Sequence, residues 1–260
     1  MSVRHEPYEP GTFCWAGLAA SDPAAAQRFY AELLGWEAEV LPGGAPGSYA
    51  LLRRRGLGVA ILYEQMPEAR AAGAAPHWTS FISVEDADAT AARAGELGGA
   101  AVFREPFDVV DAGRVAAIRD PAGAIVSLWQ PGARAGAELV DDAGALCWNE
   151  LATSDVGRAA SFYGALLGWE YDTGAGGYVT IKNAGRSNGA MRELSARDRG
   201  APPHWLPWFT VDDVDEIARR AVSAGGNRLT LTSRNRAGRA AVLADPQGAA
   251  FAVFEGGTDP

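Results

Sequence analysis

Residues Phe13 to Trp36 read FCWAGLAASDPAAAQRFYAELLGW, and residues Leu146 to Trp169 read LCWNELATSDVGRAASFYGALLGW. Thirteen of these 24 positions are identical at a constant offset of 133. A repeat on this scale decides the architecture before any single element is placed. It continues along the chain. Pro76-His77-Trp78 matches Pro203-His204-Trp205, and Asp120-Pro121-Ala122-Gly123 matches Asp245-Pro246-Gln247-Gly248. Val84-Glu85-Asp86 likewise matches Val211-Asp212-Asp213. The chain therefore divides into halves at 11–131 and 144–256. Residues 132–143, rich in Gly, Ala and acids, read as a linker.

Each half subdivides again. Phe13–Ala20 alternates as a strand. Asp22 then suits a helix N-cap, Pro23 the first turn and Gly35 the C-terminal stop. Ala26, Phe29, Tyr30, Leu33 and Leu34 recur at helical spacing between them. Strands follow at 36–41, 49–54 and 58–64. The second part repeats the plan, with a strand at 78–84, a helix from Asp86 to Leu97, and strands at 101–105, 114–119 and 125–130. The grain is βαβββ, four times over. Arg53-Arg54-Arg55 lies between two strands and reads as a solvated hairpin tip.

Composition excludes several roles. The 260 residues are 48% hydrophobic and 21% charged, as in globular proteins. A formal net charge of −9 with no basic stripe argues against binding a phosphate backbone. The N-terminal residues lack the apolar core of a signal peptide, and no apolar run reaches the roughly 18 residues of a membrane span. The two cysteines, Cys14 and Cys147, hold equivalent places in the two copies, which fits a repeated structural role in a reducing, cytoplasmic setting.

The pattern SDxxxAxxFYxxLLGW, the acidic helix start and the DPxG turn together resemble the glyoxalase / bleomycin resistance / extradiol dioxygenase group, the vicinal oxygen chelate superfamily. The resemblance covers nearly the whole chain. It implies an α+β fold of two tandem glyoxalase-like domains. Each would hold two βαβββ modules forming a curved, cup-shaped mixed sheet with helices outside and a small molecule inside. In metal-dependent members, His, Gln or Glu side chains converge on an ion in the cup. The corresponding positions here are Trp15 and Trp148, Thr79 and Leu206, Ser127 and Ala252, with Ile61 and Met191 on the fourth strand. None is a good ligand, since an indole offers no metal lone pair. No metal and no other cofactor is expected.

Strand alternation turns Trp15, Gly17, Trp148 and Glu150 into the cups and Cys14 and Cys147 towards the helices. Glu150, absent from the first copy, is a candidate general acid or base. The competing reading is a carboxylate paired with an arginine of a neighbouring strand. His77 and His204 are further acid–base candidates at a cup rim, or else hold a loop carbonyl. Thr79, Phe81, Ser127, Trp129, Asn149, Leu206, Trp208 and Phe254, with Trp15 and Trp148, are candidates to line the cups and hold substrate. Trp36, Trp169, Tyr30 and Tyr163 read as packing. Gly43-Gly44 and Gly176-Gly177 read as hairpin loops.

Three functions stay open. The first is a metal-independent lyase, isomerase or hydroxylase-like enzyme acting on a hydrophobic or aromatic metabolite. The second is a protein that sequesters an antibiotic or similar molecule without chemistry. The third is a metal enzyme with ligands relocated to His77, His204 and Glu150. In every case the partner is a small molecule, and the chain works as a monomer or homodimer.

Overall fold

The computed structural model describes residues 2–4, 6–41, 49–102, 105–198, 200–234 and 237–257. The first half runs β2 (Phe13–Ala20), α1 (Pro23–Leu34), β3 (Glu37–Leu41), β4 (Tyr49–Arg54), β5 (Leu57–Glu64), α2 (Pro67–Ala71), β6 (His77–Ser83) and α3 (Ala87–Glu96). It closes with β7 (Ala100–Ala101), β8 (Phe107–Val109), β9 (Gly113–Arg119) and β10 (Ile125–Pro131). The second half runs β12 (Leu146–Thr153), α4 (Val156–Leu167), β13 (Glu170–Thr173), β14 (Val179–Asn183), β15 (Arg186–Glu193) and β16 (His204–Thr210). Then come α5 (Val214–Ser223), β17 (Asn227–Arg228), β18 (Ser233–Arg234), β19 (Gly238–Ala244) and β20 (Ala250–Gly256). Two short strands, β1 (Ser2–Val3) and β11 (Leu139–Val140), stand outside this plan.

The strand order is β3-β4-β5-β2-β6-β10-β9-β7 in the first sheet and β13-β14-β15-β12-β16-β20-β19-β17 in the second. In each, two modules join through their leading strands. β2 pairs antiparallel with β6, and β12 with β16. So each cup forms within one half. The expected strand at 101–105 reduces to Ala100–Ala101, followed by a bend, with residues 103–104 outside the described set. Gly43-Gly44 also lies outside it.

The helix ends obey the sequence chemistry. The Asp22, Asp86, Asp155 and Asp213 carboxylates each accept from the backbone N–H three residues on. Gly35 and Gly168 close α1 and α4 in the left-handed conformation. The basic hairpin tip turns at Arg55-Gly56, while Arg53 leaves solvent to bond Glu39 and Glu138.

The helices lie outside each cup, and the two halves then enclose them. Phe29, Tyr30, Leu33 and Leu34 of α1 share one apolar core with Leu18, Leu52 and Leu62 of the first sheet and Phe209, Leu243, Phe251 and Val253 of the second. An equivalent core joins Phe162, Tyr163, Met191 and Trp205 to Ile82, Ile118, Val126 and Leu128. The sheets therefore stand back to back across helices, with the cups facing outward.

The repeated sequence signatures meet at this junction. Tyr30 donates to Asp245 at 3.2 Å and accepts from the Trp78 indole at 2.9 Å; Tyr163 does the same with Asp120 and Trp205. Trp36 stacks on Tyr30 and donates to the Gly144 carbonyl, while Trp169 stacks on Tyr163 and donates to Gly11. Asp120 also accepts from the backbone N–H groups of Ala122, Gly123 and Ala124. Burial pushes both tyrosine hydroxyls well up in pKa, and it raises the Asp120 and Asp245 carboxyls. The signatures that announce the family are thus the lock between its halves.

The segment 132–143 joins the halves but does not hang free. β11 pairs with both β1 and β12. Ala137 and Glu138 donate to the carbonyls of Cys14 and Gly58. Tyr8 donates to the Ala137 carbonyl at 2.8 Å, and the Trp129 indole donates to that of Arg134. Together with the N-terminal residues, it forms a strap across the first cup.

Candidate functional site

The two cups have diverged in opposite directions. In the first, Trp15 and Trp129 are each 2% exposed and Phe81 is 3% exposed. Trp15 and Trp129 meet edge-on at 5.8 Å, and Phe81 adjoins Trp129. Tyr8, Leu51, Val115 and Ala137 complete this cluster. Thr79 and Ser127 are buried on the same face. The floor of the first cup is packed like a core.

In the second cup the equivalent rings stand partly in solvent. Trp148, Trp208 and Phe254 are all part-exposed, as are Tyr178, Thr180, Ala240 and Val242 around them. Trp148 donates its indole N–H to Tyr178 Oη at 3.2 Å, and Trp208 tilts against Phe254 at 6.3 Å. Leu206 and Ala252 are buried between them. The Trp208 N–H is itself buried and has no acceptor. The second cup thus presents an aromatic wall that is partly open to solvent.

Glycine and glutamate at equivalent positions explain the contrast. Gly17 faces the first cup, and a Cβ there would lie 2.7 Å from Phe81 Cε2 and 3.2 Å from Tyr63 Cε1. Only glycine lets those rings lie flat against the strand. Gly17→Ala is expected to destabilise the protein by about 1–3 kcal/mol through overpacking, read from urea unfolding midpoints. In the second half Glu150 fills the place of Gly17 and Arg192 that of Tyr63.

Glu150 is 4% exposed, and its Oε1 accepts from Arg192 Nε at 2.6 Å. Arg192 in turn forks onto Asp198, with Nη1 and Nη2 at 2.9 and 2.7 Å from its two oxygens. The arginine pairing weighed from sequence is therefore present. It does not remove the carboxylate from the cup face, which Glu150 shares with Trp148. Burial works to raise the Asp198 pKa, but the Arg192 guanidinium and Ser195 N–H outweigh it and hold it at about 2. Its ordinary value is 3.8, so its contribution to stability is complete above that pH and is lost as pH falls through about 2. Asp198→Asn should thus lower Tm at neutral pH by a few degrees (~2–4 °C), with the gap closing by pH 2; thermal scans across that range check it.

Several expected site residues fall elsewhere. Asn149 points away from the cup and, fully buried, accepts from the Ser80 hydroxyl at 2.6 Å between the two sheets. The same alternation that turns Glu150 inward turns Asn149 outward. Met191 packs in the inter-half core, so its neighbours Ala190 and Arg192 are the cup-facing residues of β15. Cys14 does not face a helix. It lies at a bulge between Phe13 and Trp15 and packs with Tyr8 and Ala137. Burial pushes both thiols up, Cys147 to about 12, so neither is poised as a nucleophile. His77 and His204 each bond a loop carbonyl through Nδ1, those of Ala75 and Pro202, and they belong to separate cups.

The cup floors do not fit a divalent ion. Facing positions carry Trp15, Ile61, Thr79 and Ser127 in one half and Trp148, Ala190, Leu206 and Ala252 in the other. Indole and aliphatic groups offer no lone pair, the neutral hydroxyls of Thr79 and Ser127 are not among the usual Cys, His and carboxylate ligands, and Glu150 is engaged by Arg192. Among the described residues no three His, Cys, Asp or Glu side chains converge, so His77, His204 and Glu150 form no relocated set. No helix among them is long and apolar enough to cross a membrane.

Comparison with known proteins agrees with the architecture. Residues 12–128 match the model of the Glyoxalase/Bleomycin resistance protein/Dioxygenase superfamily, and residues 146–254 match that of a glyoxalase-like domain. The chain is 38% identical over 263 residues to "Putative glyoxylase CFP32" of Mycobacterium bovis, covering 98% of each chain. It is 35% identical over 260 residues to the anthracycline biosynthesis protein DnrV of Streptomyces peucetius, covering 95% of this chain and 94% of that one. Among solved structures, the Mn(II)-bound glyoxalase from Novosphingobium aromaticivorans superposes with a TM-score of 0.64 at 17% identity, covering 95% of this chain and 82% of that one. The 2,3-dioxygenase LapB from Pseudomonas sp. KL28 superposes at 0.62 and 13% identity, covering 95% and 94%. With both halves matched and relatives aligned end to end, the chain belongs to the glyoxalase/bleomycin resistance protein/dioxygenase superfamily as a tandem two-domain member.

Proposed function

We propose that the second cup is the working site of a small-molecule enzyme acting on a planar hydrophobic or aromatic metabolite without a metal. The observation that carries this reading is the asymmetry of equivalent rings: Trp15, Phe81 and Trp129 are sealed, while Trp148, Trp208 and Phe254 stand open. Aromatic walls hold a flat guest by stacking and apolar burial. The buried Trp208 N–H would donate to an oxygen of that guest. Glu150 is the proton-handling group, with Arg192 and Asp198 fixing its position. The relatives DnrV and DauV, described as anthracycline biosynthesis proteins, support a fused-ring aromatic guest, since anthracyclines are planar polyketides.

A second reading rests on the same ion pair. Arg192 already occupies Glu150 Oε1 at 2.6 Å, which leaves less of the carboxylate to reach a guest and favours sequestration without chemistry. Incubating the protein with 1,8-dihydroxyanthraquinone and related hydroxylated polycycles, followed by mass spectrometry, separates the two. A changed mass or a changed chromatographic retention supports the enzyme, and tight binding with neither change supports sequestration. Absence of both binding and conversion in the whole panel would sink the cup assignment.

A further inference from the structure

The first cup is sealed at its floor but not along its strap. A cavity of about 200 Å³ remains between Trp15, Leu51 and Gly58 of the cup wall, the N-terminal residues Arg4, Glu6 and Tyr8, and residues 133–138 of the strap. We propose that this cavity is a second ligand site, separate from the second cup, for a small organic monocarboxylate carrying a flat apolar body.

Three features of its lining point there. The Trp15 indole N–H is buried without an acceptor, on a residue only 2% exposed. A buried donor left unpaired costs free energy that an incoming acceptor recovers. Two guanidiniums line the same space. Arg4 lies over the Tyr8 ring with its Cζ 4.1 Å from the centroid, and Arg134 is half-buried on the strap. Neither has a carboxylate within ion-pairing distance among the described residues, whereas five of the seven other half-buried arginines, Arg53, Arg114, Arg192, Arg228 and Arg239, do. Guanidinium pairs recognise carboxylates through several parallel N–H bonds.

Asp141 feels the charge of Arg4 but stands beyond ion-pairing distance, and the acids of the lining do not cancel the two guanidiniums. Glu138 is engaged by the Gly58 N–H at 2.6 Å and by Arg53 at 3.3 Å. Glu6 is exposed. In a chain of net charge −9, a pocket with two unpaired guanidiniums is a local exception rather than a general anion sink. Leu51 and the Trp15 ring supply the apolar wall. The volume is below that of a drug-sized pocket, so the ligand is a small acid and not a polycycle.

The experiment is isothermal titration of the full chain with benzoate, with benzyl alcohol and acetate as controls. Benzoate should bind one per chain with Kd below about 1 mM, and benzyl alcohol and acetate at least tenfold more weakly. Arg134→Gln, which leaves the backbone bond to Trp129 in place, should weaken benzoate at least tenfold. Trp15→Phe should weaken it less, and Glu150→Gln in the other cup not at all. Lack of benzoate binding, equal binding of benzyl alcohol, or binding indifferent to Arg134→Gln would each overturn the site. Loss of benzoate in the Glu150→Gln protein would instead place it in the second cup and also overturn the proposal.

Discussion

Glu150→Gln is expected to lower kcat by about 10²–10⁴-fold on a substrate found among hydroxylated polycycles, with KM little changed. Glutamine keeps the size of the side chain and can still meet Arg192, but it cannot take or return a proton. Arg192 remains held by both oxygens of Asp198, so no buried charge is orphaned. The fold should therefore lose only about 1.5–3 kcal/mol, the scale of a charge-assisted bond. Steady-state kinetics beside urea unfolding checks both halves of this statement. Unchanged kcat would remove Glu150 from the chemistry and leave it as a wall of the cup.

The largest effect on stability is expected at the junction of the halves. Asp120→Ala deprives three backbone N–H groups and the Tyr163 hydroxyl of their acceptor in a buried setting. Each buried donor left unpaired costs about 1–3 kcal/mol, and partial relaxation with entering water lowers the sum. A loss of about 3–5 kcal/mol follows, in the range reserved for broken buried networks. Asp245→Ala should match it, because Asp245 makes the equivalent bonds to Gln247, Ala249 and Tyr30. Asp120→Asn retains one acceptor oxygen and should lose less. Urea midpoints of the three variants make the comparison. An Asp120→Ala protein as stable as wild type would mean that the signature is decoration.

The fold was legible because its determinants are local and duplicated. Asp caps, a left-handed Gly stop and helical spacing occur twice, and one strand of Phe13–Ala20 predicts its partner 133 residues later. The opposing arrangement of the halves was harder to read. Tyr30 and Trp36 read as packing in their own half, yet their polar atoms reach Asp245 and Gly144 in the other. Periodicity says which face is apolar and not what covers it.

The site was legible in part. Alternation puts Trp15 and Gly17, and likewise Trp148 and Glu150, on one face of their strands, and the same rule, applied strictly, turns Asn149 away. It failed at Cys14 because a bulge breaks the period there. Arg192 was missed because the alignment put Met191 on the cup face, a slip of one residue that inverts a strand. Asp198 lies on a short turn after β15, where no periodicity operates. Nor could composition show that Gly136 and Ala137 of the linking segment close the first cup. Small residues there read as slack, yet they permit close approach to Cys14.

The central claim, a metal-free aromatic guest in the second cup, is tested most directly by equilibrium binding of 1,8-dihydroxyanthraquinone to chelator-stripped protein, followed by tryptophan fluorescence. Wild type should bind one molecule per chain, and Ala240→Trp, which fills the part-exposed wall beside Phe254, should not. Binding that vanishes on stripping and returns with a divalent metal, or that survives Ala240→Trp, would contradict the account.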